Sequence, residues 1–456
     1  MKYFWIASLF LLACVSTKKK LVRSTVIDFG AIGDGRHDST KAFQIALQKA
    51  SAKKDTVYIP KGKYVINRTL KVLSNTVIVG ETDGVELFFV GATGVLFRSV
   101  HQENITIKNI TISGRGRYSS AMSNSTGESK ERGIYFTGCS NILVENCRII
   151  NFGQSGVAII GGKHIGIFGN NVEGTHLQSV PLKKGDNYQF GVYIGVSVTS
   201  RILEDIIVDG NEISYVCQGI ITSQGANDYD AVGVVLSNNF IHDVIGQHGV
   251  YCSTSNTMIK GNRIVGMGLE GVKVQASHES LRNIDIVGNS VLDCFGSQAF
   301  NITEIHEGKN SISNVIMRNN TAKGCARGLN LYGRLISCMV DGFQLEDVTK
   351  EYGIYVRGFS MKDLVLKNIQ IKNVKKEAIY IDNDAATQNI FIEKVIIQRR
   401  KLSRNFAPIK IINGSNISFI HVSCNGESDA EVYSIAKNCK MVRLEGKLQS
   451  QKEKKQ

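Results

Sequence analysis

The chain has 456 residues, of which 43% are hydrophobic, 21% are charged and only 3 are proline, and this composition excludes a disordered chain. Lysine and arginine number 54 against 40 aspartates and glutamates, so the net charge is +14, which favours an anionic partner. The 45 glycines follow no every-third pattern, which excludes collagen, and no apolar run reaches the roughly 18 residues that a membrane-spanning helix needs.

Residues 1–20 have the pattern of an export signal. An apolar stretch at 4–13 follows a lysine and precedes three more; about ten apolar residues are typical of a signal-peptide core and too few to cross a bilayer. Leu11-Leu12-Ala13-Cys14 resembles a bacterial lipobox, whose cysteine is lipidated after cleavage. We therefore expect an exported protein, either a periplasmic or outer-membrane lipoprotein anchored to the membrane through Cys14 or, if that cysteine occurs there by chance, a secreted protein.

Nine cysteines follow Cys14, an odd number in a setting that permits disulfides. They are not grouped in pairs with metal-ligand spacing, so we expect no metal site built on them. We expect several to be small core residues and one or two disulfides to form.

Residues 25–80 combine a helix with a strand. The segment Asp28-Phe-Gly-Ala-Ile-Gly-Asp34-Gly-Arg-His-Asp38-Ser-Thr precedes a run in which apolar residues recur at helical spacing, and Asp38 or Ser39 is a suitable N-cap. A strand and turn are predicted at 56–64. The predicted buried helix residues are Phe43, Ala46, Leu47 and Ala50.

A repeat runs over residues 104–425. Each copy has an apolar residue, two others, a fixed position, one further residue and a second apolar residue, as in Ile259-Lys-Gly-Asn262-Arg-Ile264. Most fixed positions, here called ladder positions, are separated by 23 to 28 residues. The ladder positions are Ile110, Cys147, Asn170, Asn211, Asn239, Asn262, Asn289, Asn320, Phe343, Ile369, Val395 and Ile420.

This spacing predicts a right-handed parallel β-helix with one coil per repeat. A short strand, a one-residue corner and a second strand can bury their apolar side chains only by stacking on neighbouring coils. The six consecutive asparagines are then a buried column in which each side-chain amide bonds to the next coil, about 4.8 Å away. The alternative is a β-sandwich with Asn-rich turns.

A third strand in each coil follows a small residue, usually glycine. In Gly249-Val250-Tyr251-Cys252-Ser253, alternation places Tyr251 and Ser253 on the outer face. Aromatic faces with polar tips suit sugar rings, so we expect a carbohydrate groove here; the alternative is that tyrosine is present as a good strand former. The outer position in successive coils is Tyr135, Ala158, Tyr193, Ile221, Tyr251, Lys273, Asn301, Asn330, Tyr355 and Tyr380. The next outer position includes Gln275, Thr303, Tyr332, Arg357 and Asp382. Residues 114–132, 174–190 and 223–231 are predicted to be loops that wall this groove.

Together with the coils, residues 25–80 resemble the N-terminal cap of the pectin-lyase-like superfamily, nearest to its polygalacturonases and rhamnogalacturonases. The resemblance implies a helix that plugs the open end of the β-helix core, and it implies an extracellular polysaccharide as substrate. Polygalacturonase-like hydrolases carry an Asn-Thr-Asp, an Asp-Asp, a Gly-His-Gly and an Arg-Ile-Lys motif on successive third strands. Here Gln247-His248-Gly249 resembles the histidine motif, and Gly271-Val272-Lys273-Val274-Gln275 resembles the basic one.

The carboxylates of that hydrolase family are missing from the matching positions. The paired aspartates would fall at Cys217-Gln218 and the first aspartate at Phe190. Inverting hydrolysis needs two carboxyl groups about 6.5–9.5 Å apart, so its mechanism does not carry over directly. Substitutes could come from residues that flank the third strands, namely Asp228, Asp230, Glu270, Glu304 and Glu307.

The remaining residues suit a uronic-acid lyase. Such an enzyme needs a base for the proton beside the sugar carboxylate and a cation or donor for the charge that develops there. We expect Lys273, His248 and Tyr251 to be catalytic; the alternative is that His248 satisfies a turn and Lys273 is a surface charge. The predicted substrate-binding residues are Tyr193, Gln275, Asn301, Asn330, Tyr332, Tyr355 and Arg357.

The sequence therefore predicts one all-β domain at 21–445, a β-helix of about twelve coils with a short N-terminal capping helix, followed by a charged tail at 446–456. We expect a monomer that cleaves an acidic polysaccharide, with no nucleic-acid partner and no cofactor. No aspartate cluster resembles the site of calcium-dependent pectate lyases, although calcium is not excluded. The alternatives are a hydrolase of polygalacturonase type that uses other carboxylates, and a glycan-binding protein without catalysis.

Overall fold

A computed structural model describes residues 24–445 except 82, 92–93, 117–130, 175–188, 226–229, 306–308, 360, 384–387, 399–405, 426–431 and 437–438. The predicted signal with Cys14, the charged tail and most of the three predicted wall loops lie outside the described residues. No helix in the described part combines the length and hydropathy needed to cross a membrane.

The chain winds into a parallel β-helix of about 13 turns, which confirms the predicted all-β class and slightly exceeds the predicted number of coils. The described residues form 39 strands, which pair in parallel with the coils before and after them. A short 3-10 helix, Val26–Phe29, and one α-helix, Thr40–Lys53, precede the coils. The strands stack in three columns, here called sheets one, two and three.

Sheet one contains the strands that precede the ladder positions. Its strands are Thr56–Ile59, Thr76–Gly80, Glu103–Lys108, the second halves of Arg132–Glu145 and Ser155–Phe168, Leu203–Asp209, Val232–Ser237, Thr257–Lys260, Leu281–Val287, Ile312–Arg318, Leu335–Asp341, the first parts of Lys362–Val374, Gln388–Gln398 and Ser415–Asn425, and Lys440–Glu445.

Sheet two contains the strands that follow the ladder positions, together with three earlier strands. Its strands are Asp34–Asp38, Gly62–Ile66, Val85–Phe89, Thr111–Ser113, Arg148–Ile150, Asn171–Glu173, Glu212–Ser214, Phe240–His242, Arg263–Met267, Ser290–Cys294, Thr321–Lys323, Gln344–Val348 and the later parts of the three long strands from Lys362 onward.

Sheet three contains the strands that follow the small residue of each coil, and it carries the predicted groove. Its strands are Leu70–Lys71, Val95–Val100, the first halves of Arg132–Glu145 and Ser155–Phe168, Phe190–Gly195, Gln218–Ser223, Val250–Ser253, Val272–Ala276, Gln298–Glu304, Arg327–Tyr332, Ile354–Arg357, Ile379–Asp382, Ile409–Asn413 and Tyr433–Ile435.

The asparagine column is buried and fully paired. Asn239 Nδ2 donates to Asn262 Oδ1 at 2.9 Å and to the carbonyl of Val208 at 2.9 Å, and the same pattern repeats from Asn170 to Asn320. Each Oδ1 also accepts the backbone N–H of the preceding ladder residue. Buried amides are tolerated only when paired in this way, so the column fixes the register of the coils.

The last predicted ladder position is wrong. Val395 pairs with Val422, whereas the predicted Ile420 pairs with Glu393. The residue before each ladder position is left-handed, with φ of 53° at Asn368 and 52° at His421. Since Phe419 has no such conformation and is a buried core residue, the corner lies after His421. Apolar spacing alone fits both positions.

The helix covers the first coil as predicted. Phe43, Ala46, Leu47 and Ala50 are buried, and the Phe43 ring lies 5.3 Å from the Tyr64 ring in an edge-to-face arrangement. Ser39 is the N-cap residue, but it is Asp38 Oδ1 that accepts the Thr40 N–H, at 2.9 Å. This apolar face closes an end that would otherwise expose core side chains.

The expected disulfides do not form. All nine cysteines after Cys14 are free, and seven of them are buried. Most occupy core positions such as Cys147, where burial raises the pKa of the thiol to about 12. Free cysteine packs as a small apolar residue, which explains the odd number.

Candidate functional site

Sheet three brings the predicted outer positions into one line, here called the tyrosine column. Neighbouring members are direct backbone partners, among them Tyr193 with Ile221, Ile221 with Tyr251, and Tyr251 with Lys273. The register continues from Lys273 through Asn301 and Asn330 to Tyr355 and beyond. The sequence-predicted order is therefore correct at all ten positions, and Lys410 extends it by one coil.

A second line, here called the flanking column, consists of the residue immediately before each small residue. Backbone pairing joins Arg132, Ser155, Phe190 and Gln218, and it joins Gln298 to Arg327. In several coils the flanking residue touches the tyrosine-column residue three positions later. The flanking column is Arg132, Ser155, Phe190, Gln218, His248, Glu270, Gln298, Arg327, Tyr352 and Glu377.

The small residue is needed because adjacent coils approach closely there. A Cβ atom on Gly249 would lie 2.8 Å from the carbonyl oxygen of Gly271 and 2.7 Å from Ile264 Cγ2. The N–H of Gly249 donates to the carbonyl of Glu270 at 3.1 Å. This tight corner places the residues before and after the glycine on one face, and so brings the two columns together.

His248 and Glu270 meet in adjacent coils of the flanking column. His248 Nδ1 lies 2.8 Å from a Glu270 carboxylate oxygen, Oε2, although the two groups are not aligned as a good hydrogen bond. Their side chains are only 5% and 9% exposed. Among the described residues, no other group bonds to the His248 imidazole, which leaves Nε2 available for a substrate proton.

Glu270 also contacts the tyrosine column. Lys273 Nζ lies 3.9 Å from Glu270 Oε1, and Asn301 Nδ2 donates to the same oxygen at 3.2 Å. Asn330 Nδ2 in turn donates to Asn301 Oδ1 at 2.8 Å. One carboxylate is thus held by an imidazole, an ammonium group and an amide from three successive coils.

Tyr251 lies against the same cluster. Its ring stacks on His248 with centroids 5.4 Å apart, and its hydroxyl lies 3.0 Å from Ser277 Oγ. Gln275 Nε2 donates to the Tyr251 hydroxyl at 3.1 Å and to Ser277 Oγ at 2.6 Å. The phenol therefore has a fixed direction, while Tyr251 and the Lys273 side chain stay partly exposed on the outer face.

The surroundings set the charge of each group. Burial lowers the pKa of His248 despite the nearby Glu270 carboxylate, so the imidazole is neutral at pH 7. Burial alone would raise the pKa of Glu270, but His248, Lys273 and Asn301 together bring it below its ordinary value. Burial raises the pKa of Tyr251. The cluster thus holds a neutral imidazole, an ionised carboxylate and a protonated phenol.

The structure brings the three predicted catalytic residues together and adds two that were undervalued or missed. Glu270 was one of five possible substitute carboxylates, and Ser277 was not predicted at all. The sequence signal for Glu270 was its position directly before Gly271, which matches that of His248 before Gly249. Among the predicted binding residues, Gln275, Asn301 and Asn330 adjoin the cluster through hydrogen bonds.

The other predicted binding residues lie in different coils. Tyr193 lies two coils before Tyr251 in the tyrosine column and packs against Phe190, with ring centroids 5.6 Å apart. Tyr355 and Tyr332 lie on coils beyond Asn301. Arg357 is exposed, and its guanidinium lies 5.8 Å from the centre of the Tyr332 ring.

The other substitute carboxylates do not join the cluster where the structure describes them. Asp230 forms an ion pair with Arg282, and Glu304 is fully buried at the end of its strand. Asp228 and Glu307 lie outside the described residues. In the flanking column, Glu270 lies one coil after His248. The coil before His248 carries Gln218 rather than a carboxylate.

A group with metal-like spacing lies elsewhere, on sheet one. One ligand atom from each of His164, Glu204 and Asp205 lies within 4.8 Å of the others. Lys163 Nζ already pairs with Glu204 at 2.6 Å, and the group is largely exposed. It does not adjoin the tyrosine column, and the expectation of a metal-free protein stays a prediction.

Comparison with known families supports the predicted resemblance. Residues 23–202 match the family described as rhamnogalacturonase A/epimerase, pectate lyase-like. This match begins at the cap and extends past Tyr193. The resemblance to the pectin-lyase-like superfamily is therefore confirmed, and the fold agrees with it.

Three relatives span about half of this chain. A pre-neck appendage protein of Bacillus phage B103 is 26% identical over 53% of the chain. A capsule-specific depolymerase of Klebsiella phage K5-2 is 27% identical over 49%, and a mannuronan C5-epimerase of Azotobacter vinelandii is 24% identical over 57%. The matched part covers only 29%, 29% and 26% of these relatives. The chain is thus similar to a phage appendage protein and to two enzymes that are named for action on a capsule and on mannuronan.

Among solved structures, the pre-mature gene product 12 of bacteriophage phi29 matches 88% of this chain and 56% of its own length, with 18% identity and a TM-score of 0.51. At this identity, the similarity concerns the fold alone.

Proposed function

We propose that this protein removes the proton at carbon 5 of a uronic-acid residue in an acidic polysaccharide and cleaves the chain there by elimination. The observation that carries the proposal is the cluster of His248, Glu270, Lys273 and Tyr251 on the outer face of sheet three. It combines a base, a cation and an acid within one set of contacts.

Each group has a role that follows from its surroundings. His248 takes the proton through Nε2, and Glu270 acts as a positioning residue by holding Nδ1. Lys273 neutralises the sugar carboxylate, where negative charge increases as the proton leaves. Tyr251 keeps its proton because burial raises its pKa, so it can donate to the departing oxygen.

The elimination balances without a further reactant. The bond from carbon 5 to hydrogen breaks, and its electrons form a double bond between carbons 4 and 5. The bond from carbon 4 to the glycosidic oxygen breaks, and Tyr251 protonates that oxygen. Water returns the proton from His248 to the Tyr251 phenolate, which restores the site.

Epimerisation is a second candidate, and the similarity to a mannuronan C5-epimerase favours it. It begins with the same removal of the carbon 5 proton. Tyr251 would then protonate carbon 5 from the opposite face, so the chain would remain intact. The two outcomes differ only in whether the phenol proton reaches the leaving oxygen or the carbon.

Hydrolysis has less support. It requires one carboxyl group that stays protonated and a second carboxylate that activates water. Within the described residues of the cluster, Glu270 is the one carboxylate, and its pKa is lowered rather than raised. A protein that binds glycans without catalysis is the remaining alternative, and the same assay tests it.

The test is incubation of the purified protein with polygalacturonan, rhamnogalacturonan, alginate and ulvan in heavy water. Ultraviolet absorbance from a 4,5-unsaturated sugar indicates elimination, and deuterium at carbon 5 without cleavage indicates epimerisation. New reducing ends without either signal would contradict the proposal in favour of hydrolysis. Retention on a polymer with no product would contradict it in favour of binding alone.

A further inference from the structure

The flanking column contains a second buried carboxylate, four coils beyond Glu270. Glu377 occupies the equivalent position, immediately before the small residue Ala378. It is 2% exposed, and Lys410 Nζ lies 3.7 Å from its Oε1 atom. Within the described part of the chain, Glu377 Oε2 has no hydrogen-bond partner.

Three tyrosines lie in the coil of Glu377 and in the coil before it. The rings of Tyr352 and Tyr380 stack with centroids 4.7 Å apart, and Tyr355 lies 5.2 Å and 5.3 Å from them. Lys376 and Lys410 lie 5.5 Å and 5.4 Å from the centres of the Tyr352 and Tyr380 rings. The group that we call the distal cluster consists of Tyr352, Tyr355, Glu377, Tyr380 and Lys410.

The distal cluster is not part of the apolar core. On the same strands, Ile354, Ile379 and Ile381 are the residues that point inward and are fully buried. An unpaired buried carboxylate oxygen destabilises the fold, and packing of the β-helix does not require it. A ligand that supplies hydroxyl donors would satisfy this oxygen.

Its chemistry repeats that of the first cluster. Glu270 and Glu377 each have a lysine ammonium group within 4 Å, and in both cases the coil before the carboxylate carries a tyrosine of the tyrosine column. The distal cluster, however, has no histidine at the position of His248; the coil before Glu377 carries Tyr352 instead. It thus offers flat aromatic surface and an acceptor, which suit the binding of a sugar ring, but no base.

We propose that the distal cluster is a second sugar-binding subsite, which holds a residue of the same polysaccharide chain whose reacting residue lies over His248. This inference rests on the proposed function for the identity of the chain. Coils rise by about 4.8 Å each, close to the length of one pyranose unit in an extended 1,4-linked chain. The four coil-to-coil steps from Glu270 to Glu377 therefore correspond to about four sugar residues.

The surface between the two clusters fits such a path. Gln298 and Arg327 occupy the flanking column there, and Asn301 and Asn330 occupy the tyrosine column. These side chains can bond to sugar hydroxyls and carboxylates. A chain that follows sheet three would meet polar groups in each coil and aromatic rings at the far end.

The test compares long and short sugars. Native gels containing polygalacturonan, rhamnogalacturonan, alginate or ulvan identify a polymer that retards the wild type, and its trisaccharide and octasaccharide then compete for binding. Only the octasaccharide is long enough to reach both clusters. Tyr380→Ala and Glu377→Gln should each weaken competition by the octasaccharide by roughly three- to tenfold and leave the trisaccharide unchanged.

Two controls separate binding from folding. Phe391→Ala removes an exposed aromatic ring from sheet one and should change neither competition. Glu377→Gln keeps the volume of the buried side chain, so its thermal midpoint should stay near that of the wild type. If both distal variants bind the octasaccharide as the wild type does, or if none of the four polymers retards the wild type, the subsite is refuted.

The outcomes also separate this inference from the proposed function. Carbon 5 chemistry together with unchanged octasaccharide binding by both distal variants would leave the function standing and overturn the subsite. Polymer retardation that depends on Tyr380 and Glu377, without any carbon 5 chemistry, would support the subsite and overturn the function.

Discussion

At the scale of single residues, the site depends on contacts that form only because the coils stack. Lys273 illustrates this, since its side chain is 17% exposed and its ammonium group lies beside a buried carboxylate. It is therefore held in place rather than spread over solvent, unlike an ordinary surface lysine. A cation so placed can stabilise the charge that develops on a sugar carboxylate.

Replacement of Lys273 by alanine should lower the rate of carbon 5 proton removal by about 10²–10³-fold, the usual effect of losing one transition-state donor. The rate is measured as deuterium incorporation or unsaturated product. Lys260→Ala is the matched control, because Lys260 is exposed on sheet one of a neighbouring coil. Equal rates for Lys273→Ala and the wild type would remove Lys273 from the site.

The pH profile should report His248. A base must be neutral to act, and burial lowers the pKa of His248, so activity should fall only below the ordinary histidine pKa of about 6.5. Glu270→Gln removes a carboxylate that favours the charged imidazole. The acidic limb of the profile should therefore move to still lower pH, while the rate at neutral pH falls because Nδ1 is less well held.

Rate measurements of Glu270→Gln from pH 4 to pH 8 check this prediction. A limb that moves to higher pH, or does not move, would show that Glu270 does not act through His248. The thermal midpoint at each pH separates this effect from acid unfolding, because loss of the Glu270 charge also removes stability as the pH falls.

At the scale of strands and corners, the asparagine column specifies the register. Asn170→Ala should lower the free energy of unfolding by about 2–3 kcal/mol, because it leaves the Val144 carbonyl and the Cys147 N–H buried without their partner. Asn171→Ala is the matched control, since that side chain bonds to Glu212 on the exposed side. Chemical unfolding measures both, and equal losses would contradict a special role for the column.

The sequence predicts those elements that repeat and misses those that depend on a single contact. The tyrosine column was predicted in register because a fixed period and strand alternation determine it. The Glu270–His248 contact was not, because both residues precede their strands, and alternation along a strand does not predict where a residue before the corner points. Only the corner at Gly249 places His248 and Tyr251 on one side. The Ile420 error arose in the same way, since apolar spacing does not show which residue takes the left-handed corner.

At the scale of the whole molecule, each coil is stabilised by its neighbours, so the two ends are the weakest places. The helix Thr40–Lys53 protects one end through Leu47, which is 1% exposed, and Phe43. The cluster around His248 lies many coils away from that end. Damage to the cap should therefore affect the first coils before it affects the site.

Leu47→Ala should accelerate hydrogen exchange in the first strands, Thr56–Ile59 and Gly62–Ile66, by an amount that corresponds to about 2–5 kcal/mol of lost local stability. Hydrogen exchange in Val250–Ser253 and Val272–Ala276, which carry the cluster, should change much less. The reason is that the loss of local stability becomes smaller with each pair of stacked coils between the helix and these strands. Gln48→Ala, on the exposed side of the same helix, should change neither region. Uniform acceleration along the chain in Leu47→Ala would instead show that the β-helix unfolds as one cooperative unit.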